Sequence, residues 1–438
     1  MSFSRQRHAS VAMCLAIWCS NGGAFALADT HRDPLTLAEA QRLADARSER
    51  VAAARFAQLA AQELTDAADE LPDPVLRMGV DNAPITGTNP LNLNRDFMTM
   101  TRVGVMQEIT RSDKRRLRGT RADLEVATAQ AERDVTLAAV QRETALAWFR
   151  CYYAERIQAL WNSQSIEAQA SAVAVESAYV QGRGNSPEVL MARAATVQVQ
   201  DQLADATSRS RKARIELARW IGDEESQRPL GERPAIDVLP LHARHDPAQL
   251  EAQLSDHPDI VVFDRRAELA QTEAQLARAE RKSDWTVELS YGRRGDAYDD
   301  MISLGVSIPL QLSRGHRQDR EIASRLAAAS AAKAQRDDMY REHLAEVRMM
   351  LDTWNTARQR FDLYESQLLP LAQDRIVAAE AGYRSGKQEL AEVIAARRNQ
   401  IETATQAARI ESEIARLWAE LSFLTVQTSQ SAASGEQP

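Results

Sequence analysis

The fifteen residues from Tyr179 to Arg193 return without a gap at Tyr383 to Arg397, an offset of 204 positions. Tyr, Gly, Glu, Val, Ala and Arg keep their places in both copies. Upstream, Thr101-Arg-Val-Gly104-Val returns as Ile302-Ser-Leu-Gly305-Val at an offset of 201. Self-similarity at this spacing means that one structural unit is built twice. Each unit reads helix, strand, turn, strand, long helix, glycine turn, long helix.

The helices are the longest elements that the pattern allows. No proline occurs between Pro90 and Pro187. From Arg111 to Gln181 the pattern stays helical, which would span about 105 Å at 1.5 Å per residue. Leu117, Leu124, Ala131, Ala138, Ala145, Tyr152, Ala159, Ile166, Val173 and Val180 recur at steps of seven. A second series, Val126, Val140, Ala147, Ala154, Trp161, Ala168 and Val175, lies roughly 200° around the same helix. A two-stranded coiled coil needs one seam. Two seams on opposite sides call for a neighbour on each side, as in a ring of helices. In the second unit Pro370 is expected to kink or interrupt the corresponding helix.

Period-two alternation marks the strands. Leu76, Met78 and Val80 share a face, as do Val287, Leu289 and Tyr291, and Ile302, Leu304, Val306 and Ile308. Val103 and Val105 belong to the strand expected from about Phe97 to Glu108. Such strands suit either a half-buried sheet or a barrel wall between lipid and water. In a bilayer, open strand edges are not tolerated, and four strands are too few to close. The barrel reading therefore requires an oligomer. Its lipid-facing side would carry Leu289, Tyr291, Leu304, Val306 and Ile308.

The ends of the chain carry other signals. Arg5, Arg7 and His8 precede a short apolar stretch and small-residue cleavage sites at Ala24–Ala28, so 1–28 reads as a secretory signal peptide. The rival is lipidation at Cys19, which the bulky Trp18 before it disfavours. The division that follows is 1–28 signal and 29–222 first repeat, with a β-hairpin at about 74–108 and a tip near 182–187. A proline-bearing connecting region occupies 223–257. The second repeat spans 258–426, with a β-hairpin at about 285–310 and a tip near 386. Residues 427–438 form a polar tail, expected to be disordered. The fold class is mainly α with a small β part.

Several chemistries find no support. A net charge of −8 disfavours nucleic acid as a partner. No phosphate-binding loop, nucleophile elbow or metalloprotease motif is present, so no enzyme activity and no cofactor are expected. His242, His245 and His257 cluster in the connecting region without a recognised zinc spacing; they read as solvated linker histidines, and no metal site is assigned. The basic run Arg111, Lys114, Arg115, Arg116 and Arg118 reads as the edge of the barrel, where such side chains can meet headgroups. Cys151, in an Ala-rich helix, reads as a small packed residue.

These residues together resemble the TolC-type outer-membrane efflux proteins, over about Leu35 to Val426. The resemblance is carried by the Tyr-x-x-Gly tips with Glu188-Val-Leu and Glu392-Val-Ile, and by Leu369-Pro370. Leu71-Pro-Asp-Pro74, Asp81-Asn82-Ala83-Pro84 and Val103-Gly-Val-Met-Gln-Glu-Ile resemble the heavy-metal (copper/silver or cobalt/zinc/cadmium) branch. The resemblance implies a homotrimer with a twelve-strand barrel in the outer membrane of a Gram-negative bacterium and a helical tunnel into the periplasm. It also implies a periplasmic adaptor and an inner-membrane pump of the resistance-nodulation-division class, with the chain as their passive exit duct. Gly182, Arg183, Gly386 and Lys387 are then candidates for docking the adaptor. Glu392, Glu389 and Glu188 are candidates for a constriction. For the two helix-start glutamates a favourable interaction with the helix dipole is the competing account. Two other functions stay open from the residues alone: a soluble periplasmic coiled-coil scaffold or adaptor, and an exit duct for protein secretion.

Overall fold

The computed structural model describes residues 33–87, 90–93, 95–237 and 257–423. The expected signal segment, the polar tail, His242 and His245 lie outside them. The chain begins with α1 (Leu37–Arg47), capped by Thr36, whose Oγ1 accepts from the Glu39 N–H at 3.2 Å. Ser48 ends α1 and caps α2 (Glu49–Ala68) in the same way. Strands β1 (Val75–Asp81) and β2 (Met100–Ile109) lead into α3 (Ser112–Val180), a single helix of 69 residues. Helix α4 (Ser186–Ile221) returns from the tip and is followed by the short α5 (Asp223–Ser226).

The second half repeats the order. Helix α6 (Pro258–Ala279) precedes β3 (Trp285–Arg294) and β4 (Met301–Ser307). Helices α7 (Gln318–Leu363) and α8 (Leu369–Arg384) then run to the second tip, and α9 (Leu390–Ser422) returns from it. Pro370 does interrupt the helix, by a particular route. It sits at the start of α8, and the five preceding residues, Tyr364–Leu368, widen into a π-turn. Proline supplies no N–H and its ring presses on the preceding turn, so one extra residue per turn relieves both.

The four strands form one antiparallel sheet in the order β1-β2-β3-β4. β4 stops at Ser307, so Ile308 lies just beyond the sheet rather than in it. Pro309 cannot donate to the ladder and biases its predecessor's backbone, which accounts for the early end.

The apolar core is concentrated at one level of the helices. Trp148, Phe149, Tyr153, Leu217, Ile410, Ile414 and Leu417 are buried together with Leu35 and Ile236. Trp148 Nε1 donates to the Leu35 carbonyl at 3.1 Å, and Phe149 meets Trp148 and Trp418 edge to face. Glu411 is buried here between two guanidinium groups, Arg156 at 2.6 Å and Arg233 at 2.9 Å. The pairing is required, because an unpaired carboxylate is not tolerated in such surroundings. In α3 the middle members of both seven-step series, Ala131, Ala138, Ala145, Val140 and Ala147, are buried. Towards the tip, Ile166, Val173 and Val180 are 62%, 65% and 79% exposed. Within one chain those three have no cover.

Candidate channel wall and helix tips

The register of the sheet sorts its side chains by chemistry. Leu76, Val105, Leu289 and Leu304 stand side by side across the four strands, and so do Met78, Val103, Tyr291 and Ile302. All eight are exposed. The row between them on the other face is Arg77, Gly104, Ser290 and Ser303. That face also carries two ion pairs, Arg77–Glu288 at 3.5 Å and Arg102–Asp81 at 2.8 Å. Gly104 is required by close approach, since a Cβ there would lie 2.6 Å from the Ser290 Cβ. The sheet is thus apolar on one side and polar on the other, with β1 and β4 as edges. Leu289, Tyr291, Leu304 and Val306 share the apolar side.

At the junction of sheet and helices one member of the basic run, Lys114, departs from the expected headgroup contact, while Arg111 and Arg116 are exposed. Lys114 is buried, and its Nζ meets Asp284 Oδ2 at 2.6 Å. The other oxygen of Asp284 accepts from the Arg111 N–H at 3.0 Å, at the start of α3. A second pair, Lys282 with Asp113 at 2.8 Å, crosses in the opposite sense. These pairs tie the segment before β3 to the helix after β2. No local pattern foretells these pairs, because the partners are about 170 residues apart.

The two tips are the same structure made twice. Gly182 and Gly386 have φ of 76° and 71°. In each, the glycine N–H bonds to the tyrosine carbonyl three residues back, and the next N–H reaches the carbonyl five residues back: Arg183 to Ala178, Lys387 to Gly382. This is the hydrogen-bond pattern of a helix ended by a left-handed glycine. An ion pair is also repeated: Arg193–Glu176 at 2.7 Å and Arg397–Glu380 at 2.8 Å. Extending the 204-residue offset three residues upstream of the aligned block would have found both glutamates. Val175, Val189, Ala192 and Leu390 pack together with Tyr383 and Ile394, which brings the two tips to one end.

The candidate glutamates differ in setting. The Glu188 N–H is capped by Asn185 Oδ1 at 2.9 Å, and its carboxylate neighbours Tyr383. Burial first, then the Glu188 charge, raise the Tyr383 phenol above its ordinary pKa. Glu389 and Glu392 are exposed, and neither side chain has a hydrogen bond or ion pair among the described residues. Gly182, Arg183, Gly386 and Lys387 are exposed as well.

Two further groups depart from or refine the sequence reading. His257 is not a solvated linker residue: it is 6% exposed and caps α6, its Nδ1 accepting from the Asp259 N–H at 3.2 Å. Its ring lies 4.7 Å from that of His343 on α7. Burial first, then the neighbouring His343, push the His257 imidazole down to about 4. Cys151 is fully buried, and desolvation with the nearby Glu155 carboxylate pushes its thiol up to about 12.

Residues 250–425 match the family model for the outer membrane efflux protein. That match takes in about two-fifths of the chain, its second repeat, and makes this part similar to the outer membrane efflux proteins. The chain is also similar to the cobalt-zinc-cadmium resistance protein CzcC of Cupriavidus metallidurans, at 26% identity over 249 residues. That match takes in 56% of this chain and 57% of CzcC, so it spans little more than half of that curated relative. The outer membrane protein VceC of Vibrio cholerae shares the fold with a TM-score of 0.73 at 19% identity, over 89% of this chain and 95% of that one. CusC, described in connection with transmembrane channel formation, shares it with a TM-score of 0.70 at 16% identity, over 88% and 90% of the two chains.

Proposed function

We propose that the chain is the outer-membrane exit duct of a tripartite export system, and that its cargo is heavy-metal cations. The observation that carries this is the sheet. It has four strands, two open edges, a continuous exposed apolar face and an ion-paired polar face. In lipid such edges must be closed by other strands. Three copies supply twelve strands, within the range of known barrels. Leu289, Tyr291, Leu304 and Val306 then face lipid, with Ile308 at the rim. The polar face lines the pore.

The helices continue the duct. Helix α3 alone, with 69 residues, extends about 104 Å. The uncovered Ile166, Val173 and Val180 face a neighbouring protomer. Residues 29–222 and 258–426 are the two repeats of each protomer, 223–257 connects them, and 1–28 directs export. At the far end, Gly182, Arg183, Gly386 and Lys387 meet a periplasmic adaptor, which couples the duct to an inner-membrane pump of the resistance-nodulation-division class. Glu392 and Glu389, exposed and unpaired, are placed to form a ring of carboxylates where the three protomers converge. Glu188 is committed to its helix start and contributes less. Similarity to a cobalt-zinc-cadmium resistance protein supports the cargo.

The test is a deletion strain scored in parallel for growth on copper, silver, zinc, cobalt and cadmium, with plasmid complementation and fractionation of the protein. Sensitivity to one or more of the cations, restored by the gene, with a trimer in the outer membrane, is expected. Unchanged tolerance to all five removes the cargo assignment. A soluble periplasmic protein removes the duct.

A further inference from the structure

His257-Pro258-Asp259 opens α6, and His343 lies on α7, 84 residues beyond Asp259. One ring nitrogen of each histidine and a carboxylate oxygen of Asp259 all lie within 4.8 Å of one another. Asp259 Oδ2 is 3.7 Å from His257 Nδ1 and 3.9 Å from His343 Nε2. Both distances are too long for hydrogen bonds. Neither imidazole is bonded to the Asp259 carboxylate; the His257 Nδ1 lone pair accepts from the Asp259 N–H at 3.2 Å, and would turn from that cap to an ion.

The spacing suits a shared ion. Ligand atoms held at about 2.0–2.1 Å around a tetrahedral metal are roughly 3.3 Å apart. The two carboxylate–imidazole separations, 3.7 and 3.9 Å, exceed this by a few tenths of an ångström, and all three ligand atoms lie within 4.8 Å of one another, so side-chain rotation is needed to gather them on one ion. The orientation of His343 also fits. Its Nδ1 lies 3.4 Å from Glu346 Oε2, one turn along the same helix. The Glu346 carboxylate stands beside Nδ1, away from the Nε2 that faces Asp259, which is where a carboxylate commonly supports a metal-bound histidine. The remaining side of the cluster opens to a groove of about 490 Å³, lined by Arg142, Glu143, Met349, Met350, Arg416 and Glu420 among others. A ligand position is therefore left for water.

We propose that His257, Asp259 and His343 bind one borderline divalent transition-metal ion, of the Zn²⁺ or Co²⁺ class, in each protomer. Two imidazoles and one carboxylate select such ions over Mg²⁺ and Ca²⁺, which require oxygen ligands. The ion pins the first turn of α6 to the middle of α7, and so joins two helices of the second repeat. It is a resident of the wall, apart from the helix tips. The site does not depend on the cargo assignment: a deletion strain with normal metal tolerance would leave it standing.

The experiment uses the full chain purified in detergent, stripped with a chelator and titrated with Zn²⁺ by calorimetry and chelator competition, alongside its thermal midpoint. One tight Zn²⁺ per protomer and a raised midpoint are expected, unaffected by excess Mg²⁺. His343→Ala should abolish both the tight binding and the shift of the midpoint. Glu346→Gln, which keeps all three ligands, should weaken binding about 10–100-fold. His257 is a buried helix cap, so Asp259→Asn serves as the second ligand variant and should also lose the site. The proposal is overturned if the folded wild type takes up no stoichiometric Zn²⁺. It is equally overturned if His343→Ala and Asp259→Asn bind with unchanged affinity, or if Mg²⁺ displaces the ion.

Discussion

Leu304→Arg should prevent the sheet from assembling in a membrane, and Ser303→Arg should not. Leu304 is the fourth of seven residues in β4 and lies in the row Leu76, Val105, Leu289, Leu304. Seven residues at about 3.3 Å each extend roughly 23 Å. Tilted as barrel strands are, they fit within an apolar band about 25 Å tall, with Leu304 near its middle. An arginine on the lipid side at the midplane costs about 2–4 kcal/mol. With three copies in a trimer, the total is roughly 6–12 kcal/mol, comparable to the whole stability of an ordinary domain. Ser303 points to the opposite face, which already carries Arg77 and Arg102, so a further arginine there meets water. The assay is the heat-dissociable trimer band in isolated outer membranes, normalised to total protein. Equal trimer yields for the two variants, or a worse defect for Ser303→Arg, would refute the assignment of the faces.

Other perturbations test the rest of the structure. Asp284→Asn strands the buried Lys114 and should cost about 3 kcal/mol, towards the low end for breaking a buried pair because Asp284 keeps some solvent contact. Asp113→Asn, which breaks an exposed pair, should cost less than about 1 kcal/mol, and denaturant midpoints that rank the two the other way would sink the strut. Cys151, with its thiol pushed up to about 12, holds almost no thiolate at pH 8; maleimide should label it only after denaturation, and rapid labelling of the folded protein would contradict its burial. Gly386→Ala meets no atom within 4 Å but must hold a φ of 71°, so it should destabilise by about 1–2 kcal/mol while Gly386→Asn is milder; identical melting of all three proteins would leave the backbone argument without support. Glu392→Gln should weaken cation selectivity in planar bilayers with the trimer intact, and unchanged single-channel selectivity removes Glu392 from the constriction.

What was legible in the sequence was whatever depends on local period. The repeat, the long helices and the alternating strands each leave a pattern within one segment, and Pro370 marks its own interruption. What was not legible depends on partners far away in the chain. His257 is close to His242 and His245 in sequence, whereas its neighbour in space is His343. The basic run after β2 read as a surface feature because Asp284, which buries Lys114, lies on another element. Ile308 continued an alternation that Pro309 ends, a case where one backbone constraint overrides a side-chain pattern.

The seven-step series in α3 shows where such patterns stop being informative and where they become so again. Period alone marks an apolar stripe but does not say which helix covers it. Ala131, Ala138 and Ala145 allow close helix approach and are buried within the chain. Ile166, Val173 and Val180 continue the same stripe with larger side chains, and the chain leaves them exposed. Cover is lost along the stripe beyond the half-buried Tyr152, starting at Ala159, which is already exposed. A row of large exposed apolar side chains on one helix face marks a candidate interaction surface. In the proposed trimer the second half of the stripe is the part of α3 that another copy covers, and polar substitution at Val173 should weaken assembly while leaving the fold of each protomer intact.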